Sequence, residues 1–252
     1  AVYHLDAGGS RVRARLALDA GAALGIEAEA RLSIAAACEL FHNASLIHDD
    51  LQDEDPIRRG REAVWSRHGS DMAVCAGDLM LSAAYAALAG AGTQAGALVM
   101  HAHARVAAVI AGQCDDLSAC ASDTDVSAYE RIAAAKSGPL LSLPLELCLM
   151  AAGRTDHVER AVRAAERFAV GYQISDDLAD ADQDAASGEI NIVAVLAASG
   201  QRDPLAAAAR RAVSAFEAAW READALPRGA GARLSDYAKR MAANISGAEQ
   251  PA

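Results

Sequence analysis

Two short stretches of this chain concentrate carboxylates at a spacing that suits cation binding. The first, LIHDDLQDEDPIRRG (residues 46–60), has five acids in the seven positions from Asp49 to Asp55. The second, YQISDDLADADQD (residues 172–184), repeats the D-D-x-x-D spacing 127 residues further on. On a helix, residues i and i+4 share a face, so Asp49 stacks on Asp53 and Asp176 on Asp180. Asp50 and Asp177 then sit about 100° round the axis. Stacked carboxylates repel, and the C-terminal end of a helix already disfavours anions. A chain that makes this unfavourable arrangement twice is read as holding a cation rather than as ending two helices in solvated acids. Oxygen-only donors suit a hard ion such as Mg2+, which keeps several waters, takes one or two carboxylates and is often completed by substrate phosphates. No zinc set competes, because His42 and His48 lack Cys or His partners at the usual spacing. Arg58 and Arg59 follow five and six residues after Asp53, and guanidinium forks match phosphate oxygens. Carboxylates, metal and arginines together make a site for a diphosphate.

The elements that must position these groups read as helices throughout. Alanine, the best helix former and a poor strand former, dominates runs such as LSIAAACELF, LSAAYAALAG and DPLAAAARRAVSAFEAAW. No Val/Ile/Thr alternation and no Asn-Gly or Asp-Gly hairpin signal appears. The pattern predicts a turn at DAGGS (6–10), a helix over 11–25 closed by Gly25, and a helix from Glu29 to Asp53 stopped by Pro56. The stretch 58–69 reads as a loop. Further helices are expected over 70–90, 94–118, 125–151, 156–183, 190–199 and 203–224, with a frayed tail at SGAEQPA. No linker rich in Pro, Gly or Ser divides the chain, so one all-α domain over residues 1–252 is expected. The chain starts without Met, which leaves room for a further helix before residue 1.

The formal net charge of -11 argues against nucleic acid as a partner, and an anionic substrate would need help from cations. Lysine occurs only at Lys136 and Lys239, so Lys136, inside an apolar helical run, stands out. The five cysteines, Cys38, Cys75, Cys114, Cys120 and Cys148, form no C-x-x-C pair and read as buried free thiols of a reducing, cytoplasmic compartment. No apolar run is expected to reach the length of a membrane span, and the N-terminal residues do not read as a secretion signal.

Several stretches, in order and over nearly the whole chain, resemble the trans-isoprenyl diphosphate synthases, or polyprenyl synthetases. AGGSRVRARL resembles that family's GGKRLRP element, and LIHDDLQDEDPIRRG its first aspartate-rich motif. HGSDMAVCAGDLMLSAAYAAL resembles the segment that usually reads FG-x-x-x-A-x-LAGD, GQCDDL resembles GQ-x-x-DL, and KSGPLLSLPLELCLMAAG the KTG helix. YQISDDLAD resembles the second motif, FQ-x-x-DD-x-x-D. The resemblance implies an isoprenoid synthase helical bundle with a deep central cavity, usually a homodimer. It implies three Mg2+ ions bridging the two acidic helices to an allylic diphosphate. Asp49, Asp50 and Asp53 would bind metal on one side, and Asp176, Asp177 and Asp180 on the other. Arg58 and Lys136 would contact the allylic diphosphate. Arg13, His42 and Arg59 would contact isopentenyl diphosphate, and Ser137, Tyr172 and Gln173 would line the reacting centre.

The chain departs from the family at two places. Ser10 replaces the lysine of GGKR, and the lysine that follows the second motif is absent, with Glu189 near its place. Arg11, Arg15 and Arg61 are candidates to compensate. In the implied reaction the diphosphate leaves, an allylic cation forms in a dry apolar pocket, the double bond of isopentenyl diphosphate attacks it, and loss of a proton leaves a chain five carbons longer. A one-substrate terpene cyclase on the same fold and a non-catalytic subunit of a heteromeric synthase are the alternatives. The missing GGKR lysine favours the cyclase, whereas intact aspartates oppose the inactive subunit. In the family the product runs down the helix of the first motif. Ala44, five residues before Asp49, would let it pass, and Phe41, eight before, would stop it, giving geranylgeranyl diphosphate.

Overall fold

The structure is a computed structural model and describes residues 1–118, 125–187 and 190–248. Among these residues it is a bundle of helices in chain order: α1 (Val2–Leu5), α2 (Val12–Leu24), α3 (Ala28–Gln52), α4 (Val64–His68), α5 (Ser70–Ala89), α6 (Ala95–Ser118), α7 (Val126–Ala151), α8 (Val158–Ser187), α9 (Ile192–Ala198), α10 (Pro204–Asp224) and α11 (Ala232–Ala248). The long helices fall where alanine runs predict them, and their ends follow local chemistry. Gly25 closes α2 in the left-handed conformation, as expected of a residue without Cβ. Asp125 caps α7 by accepting from the Ala128 N–H at 2.7 Å, and Asp203 caps α10 the same way at 3.1 Å, just before Pro204.

The core lies where α3, α7, α8 and α10 meet. Phe41, Leu143, Leu145, Leu147, Leu149 and Phe216 are fully buried there. Small residues set the spacing. A Cβ on Gly112 would stand 2.9 Å from the backbone of Ala135, so α6 and α7 touch main chain to main chain at that level.

Three details differ from the sequence reading. The 58–69 stretch is not wholly loop: Ile57–Arg58 (β1) and Arg61–Glu62 (β2) pair antiparallel about a turn where Arg59 and Gly60 both have positive φ, followed by α4. Helix α11 has no counterpart in the sequence reading, because its buried apolar residues, Leu234, Ala238 and Ala242, are spread along one face rather than gathered in a run. The cysteines are not uniformly buried. Cys38 and Cys148 are, Cys75 and Cys114 are exposed, and Cys120 lies outside the described residues.

The expectation about apolar length is also corrected. By length and composition alone, α5, residues Ala95–Asp115 of α6, and α7 are each apolar enough to cross a membrane. Polar residues interrupt the runs without lowering the average much. The apolar stretch of α7 is 72% buried by its neighbours, so its apolarity serves the core, whereas those of α5 and α6 are only 33% and 22% buried.

Candidate active site

Helix α3 carries the first acidic cluster at its C-terminal end and sorts its residues by face. Phe41, Ala44 and Ile47 are buried, whereas His42, Ser45, Leu46 and Asp49 turn toward a pocket. Helix α2 adds Arg13, α6 adds Val109 and Gln113, and α7 adds Lys136, Ser137 and Leu140. Five of the sequence-predicted residues, Arg13, His42, Asp49, Lys136 and Ser137, thus meet in one place. Lys136 also lines an adjoining pocket with Gln173, Tyr129 and Ile190. Tyr172 is 47% exposed and stacks on Phe168. Its hydroxyl pKa is raised by burial and by Asp176 and lowered by Arg13, which links the α8 cluster to the pocket.

The pocket is basic where it is deepest. Arg13 Nε is buried with no hydrogen-bond partner, and so is Gln113 Nε2. Burial pulls the Arg13 guanidinium down to about 10, although Glu39 opposes the shift. Burial, then Arg13 and Arg59, hold His42 well below its ordinary value, so it is neutral. A buried guanidinium nitrogen without an acceptor is costly, and Arg13 is among the residues that line the pocket.

The six motif aspartates divide into two kinds. Asp50 is fully buried and accepts from Arg58 Nε at 2.6 Å, with Arg58 Nη2 paired to the same oxygen, while its Oδ2 has no partner. Asp177 is 4% exposed and accepts from Tyr129 Oη at 2.8 Å, Gln173 Nε2 at 3.0 Å and the Ile192 N–H at 2.7 Å. These middle acids face protein donors. Asp53, Asp176 and Asp180 are exposed and Asp49 is half-buried. Burial pushes Asp49 up to about 6, with Lys136 pulling against the rise and Asp53 adding to it. Burial, Asp180 and Asp177 push Asp176 up to about 6.

Among the described residues no group of three His, Cys, Asp or Glu side chains closes round a metal by itself. The donor chemistry still fits Mg2+. Asp49 and Asp176, one on each acidic helix and both with raised pKa values, leave the remaining positions to water and substrate, as that ion prefers. The sign of the pH effect follows. Between about 4 and about 6 the folded protein retains protons on Asp49 and Asp176 that the unfolded chain has released, so these two groups make the metal-free protein less stable as pH rises through that window. A cation must displace those protons. Thermal melts with and without Mg2+ should therefore show little stabilisation below about pH 5 and clear stabilisation above about pH 7. A Mg2+ effect that is equal at both ends would remove these carboxylates from the metal site.

The sequence reading missed the groups that hold the basic residues in place. Glu39 is buried one turn before Asn43, accepts from the Ala14 N–H at 3.2 Å and pairs with Arg11 at 3.5 Å. Arg11 also donates to Leu5 O at 2.9 Å, so it is committed away from the role left open by Ser10. Arg61 stacks on Tyr3 instead, with its guanidinium carbon 4.5 Å from the ring centroid. Arg59, at φ +54°, donates to Gly8 O, and a Cβ on Gly9 would stand 2.7 Å from its guanidinium carbon. Gly9 makes room for that arginine. Glu and Asn at i and i+4 inside an apolar run were the signal available in the sequence. Glu189, the other departure, lies outside the described residues.

Phe41 does not line the pocket described above. It is 1% exposed, and its ring meets Tyr85 of α5 edge-on, centroids 4.9 Å apart. Ala44 is buried in the same contact between α3 and α5.

The family model described as polyprenyl synthetase matches residues 1–191. A geranylgeranyl diphosphate synthase of Cyanophora paradoxa is 35% identical over 189 residues, 71% of this chain and 63% of that protein. A (2E,6E)-farnesyl diphosphate synthase of Mycobacterium tuberculosis is 35% identical over 174 residues, 68% of this chain and 48% of that one. The chain thus spans roughly half to under two thirds of these curated relatives. Among solved structures, the geranylgeranyl pyrophosphate synthetase of Geoglobus acetivorans superposes with a TM-score of 0.85 at 24% identity, covering 95% of this chain and 89% of that one. An isoprenoid synthase family member from Thermotoga neapolitana superposes with a TM-score of 0.78 at 26% identity, covering 95% and 88%.

Proposed function

The chain belongs to the polyprenyl synthetase family, and from that premise we propose that it condenses isopentenyl diphosphate with an allylic diphosphate in one domain over residues 1–252. The observation that carries this reading is the buried, unpartnered Arg13 Nε, with Gln113 Nε2, in a pocket that also holds Lys136 and Asp49. A buried guanidinium donor without an acceptor, in the same pocket as a lysine and a carboxylate of raised pKa, suits one diphosphate on Arg13 and a second, metal-bound, beside Lys136 and Asp49.

Asp49 and Asp53 on one helix and Asp176 and Asp180 on the other would hold the Mg2+ ions. Bound there, Mg2+ supplies charge neutralisation for a departing diphosphate. Arg58, fixed by Asp50, and Lys136 hold the allylic diphosphate. Arg13, Arg59 and neutral His42, which donates or accepts without adding charge, hold isopentenyl diphosphate. Leu46, Val109 and Leu140 keep water from the allylic cation. Asp50 and Asp177 act through the side chains they orient.

Two finer features belong to the same proposal. The product is longer than fifteen carbons, and geranylgeranyl diphosphate fits best. The spacing from Asp53 to Arg58 carries no insertion, and several relatives bear that product's name. The working unit is a cytoplasmic homodimer. Met72 and Leu79 of α5 and Met100, Ile110 and Leu117 of α6 are more than half exposed, an apolar surface that a second copy would cover.

The test is incubation of the purified chain with Mg2+, farnesyl diphosphate and labelled isopentenyl diphosphate, followed by chromatography. A labelled twenty-carbon diphosphate is expected. Hydrocarbon formed from farnesyl diphosphate alone would favour the cyclase, and no conversion would end the reading.

A further inference from the structure

On α6 and α7, next along the chain from pocket residues, lies a cluster of polar side chains around the buried Glu146 that the proposed reaction does not use. Val109 and Leu140 line the pocket. Four residues before Val109, one turn further from Gln113, comes Arg105, and one turn beyond it His101. Arg105 Nη2 donates to Ser142 Oγ at 3.0 Å, and its Nε lies 3.1 Å from Glu146 Oε1. His101 Nε2 is 2.6 Å from Glu146 Oε2. Ser142 Oγ also donates to Glu146 Oε1. Glu146 is 1% exposed. Helix α3 reaches the same level, since Cys38 stands one turn below the pocket residue His42, is buried, and feels the charge of Glu146. Arg105 is eight residues from Gln113, about 12 Å along the helix, too far from the diphosphate end to serve it.

We propose that Arg105 and Glu146, with His101 and Ser142, form a polar floor that sets the length of the hydrocarbon chain the pocket accepts. This rests on the prenyl transfer reading. A prenyl tail is held by apolar walls, and Val109 and Leu140 supply them. To pass this level the tail must part the partly exposed Arg105 from the buried Glu146 and strand that carboxylate away from water, which is far less favourable than displacing an apolar side chain. Phe41 does not do this work, because its ring is engaged with Tyr85.

The test separates length from turnover. Saturated, unreactive alkyl diphosphates of ten, fifteen, twenty and twenty-five carbons are titrated with Mg2+ into the intact protein and into Arg105→Leu/Glu146→Leu. Replacing a buried pair by apolar residues of similar size is commonly tolerated. In the parent protein affinity rises with length and then falls by roughly tenfold or more past a limit. In the double variant that limit moves out by at least one five-carbon unit, and the enzymatic product lengthens with it. Arg105→Lys keeps the charge and keeps the limit. If the leucine pair melts early, the near-isosteric Arg105→Met/Glu146→Gln is read in its place. An unchanged limit in a folded double variant with normal turnover overturns the floor alone, as does a limit that moves equally in Arg105→Lys. No binding at any length overturns the prenyl transfer reading and the floor with it.

Discussion

Arg13→Met is expected to raise the KM for isopentenyl diphosphate by about 10- to 100-fold, and to do so without lowering the melting temperature. Both halves come from one fact. Arg13 Nε is buried with no hydrogen-bond partner, and Glu39 offsets only part of the cost of burying the guanidinium, so one donor is left for a bound anion. Charge-assisted hydrogen bonds are worth about 1.5–3 kcal/mol, which sets the range of the KM change. An unbranched apolar side chain fills similar volume and removes the desolvation cost, so stability holds or improves even though the attraction of Glu39 is lost. Steady-state kinetics and a melt on the same sample decide it. A variant that melts early with an unchanged KM would make Arg13 a packing residue.

Asp49→Ala should reduce turnover by about a thousandfold or more while leaving the helical signal intact. Lewis-acid stabilisation of a departing oxyanion is worth several kcal/mol, and each 1.36 kcal/mol is tenfold in rate. Asp49 and Asp53 stack on α3, and loss of one relieves a repulsion, the same repulsion by which Asp53 adds to the raised pKa of Asp49. The metal-free variant should therefore melt no lower than the parent near neutral pH, and its Mg2+-dependent stabilisation should shrink. Full activity in the presence of a chelator, or an Asp49→Ala enzyme of normal rate, would sink the metal site.

The contrast between the outer and middle aspartates shows how far the sequence could be read. Helical periodicity places Asp50 and Asp177 about 100° from their neighbours, and that much was legible. What lies at 100° was not. Asp50 meets an arginine returned to it by the β1–β2 hairpin, and Asp177 meets a tyrosine from α7 and a backbone N–H from the start of α9. Those partners come from 8, 48 and 15 residues away. No spacing rule within one helix reaches them.

The sequence by itself determined the all-α class, the positions of the long helices other than α11, and the acid and basic groups of the two motifs. These depend on alanine content, on the 3.6-residue period and on charge placed a few residues apart, all local quantities. Tertiary structure alone decided which groups converge. It turned Arg13 from α2, Gln113 from α6 and Lys136 from α7 onto one pocket, set Phe41 against Tyr85 rather than along that pocket, and paired Arg105 of α6 with Glu146 of α7. The face a helix presents is written in its own residues. Which neighbour meets that face, and whether a charge there finds a partner, depends on desolvation and packing between segments far apart in the chain.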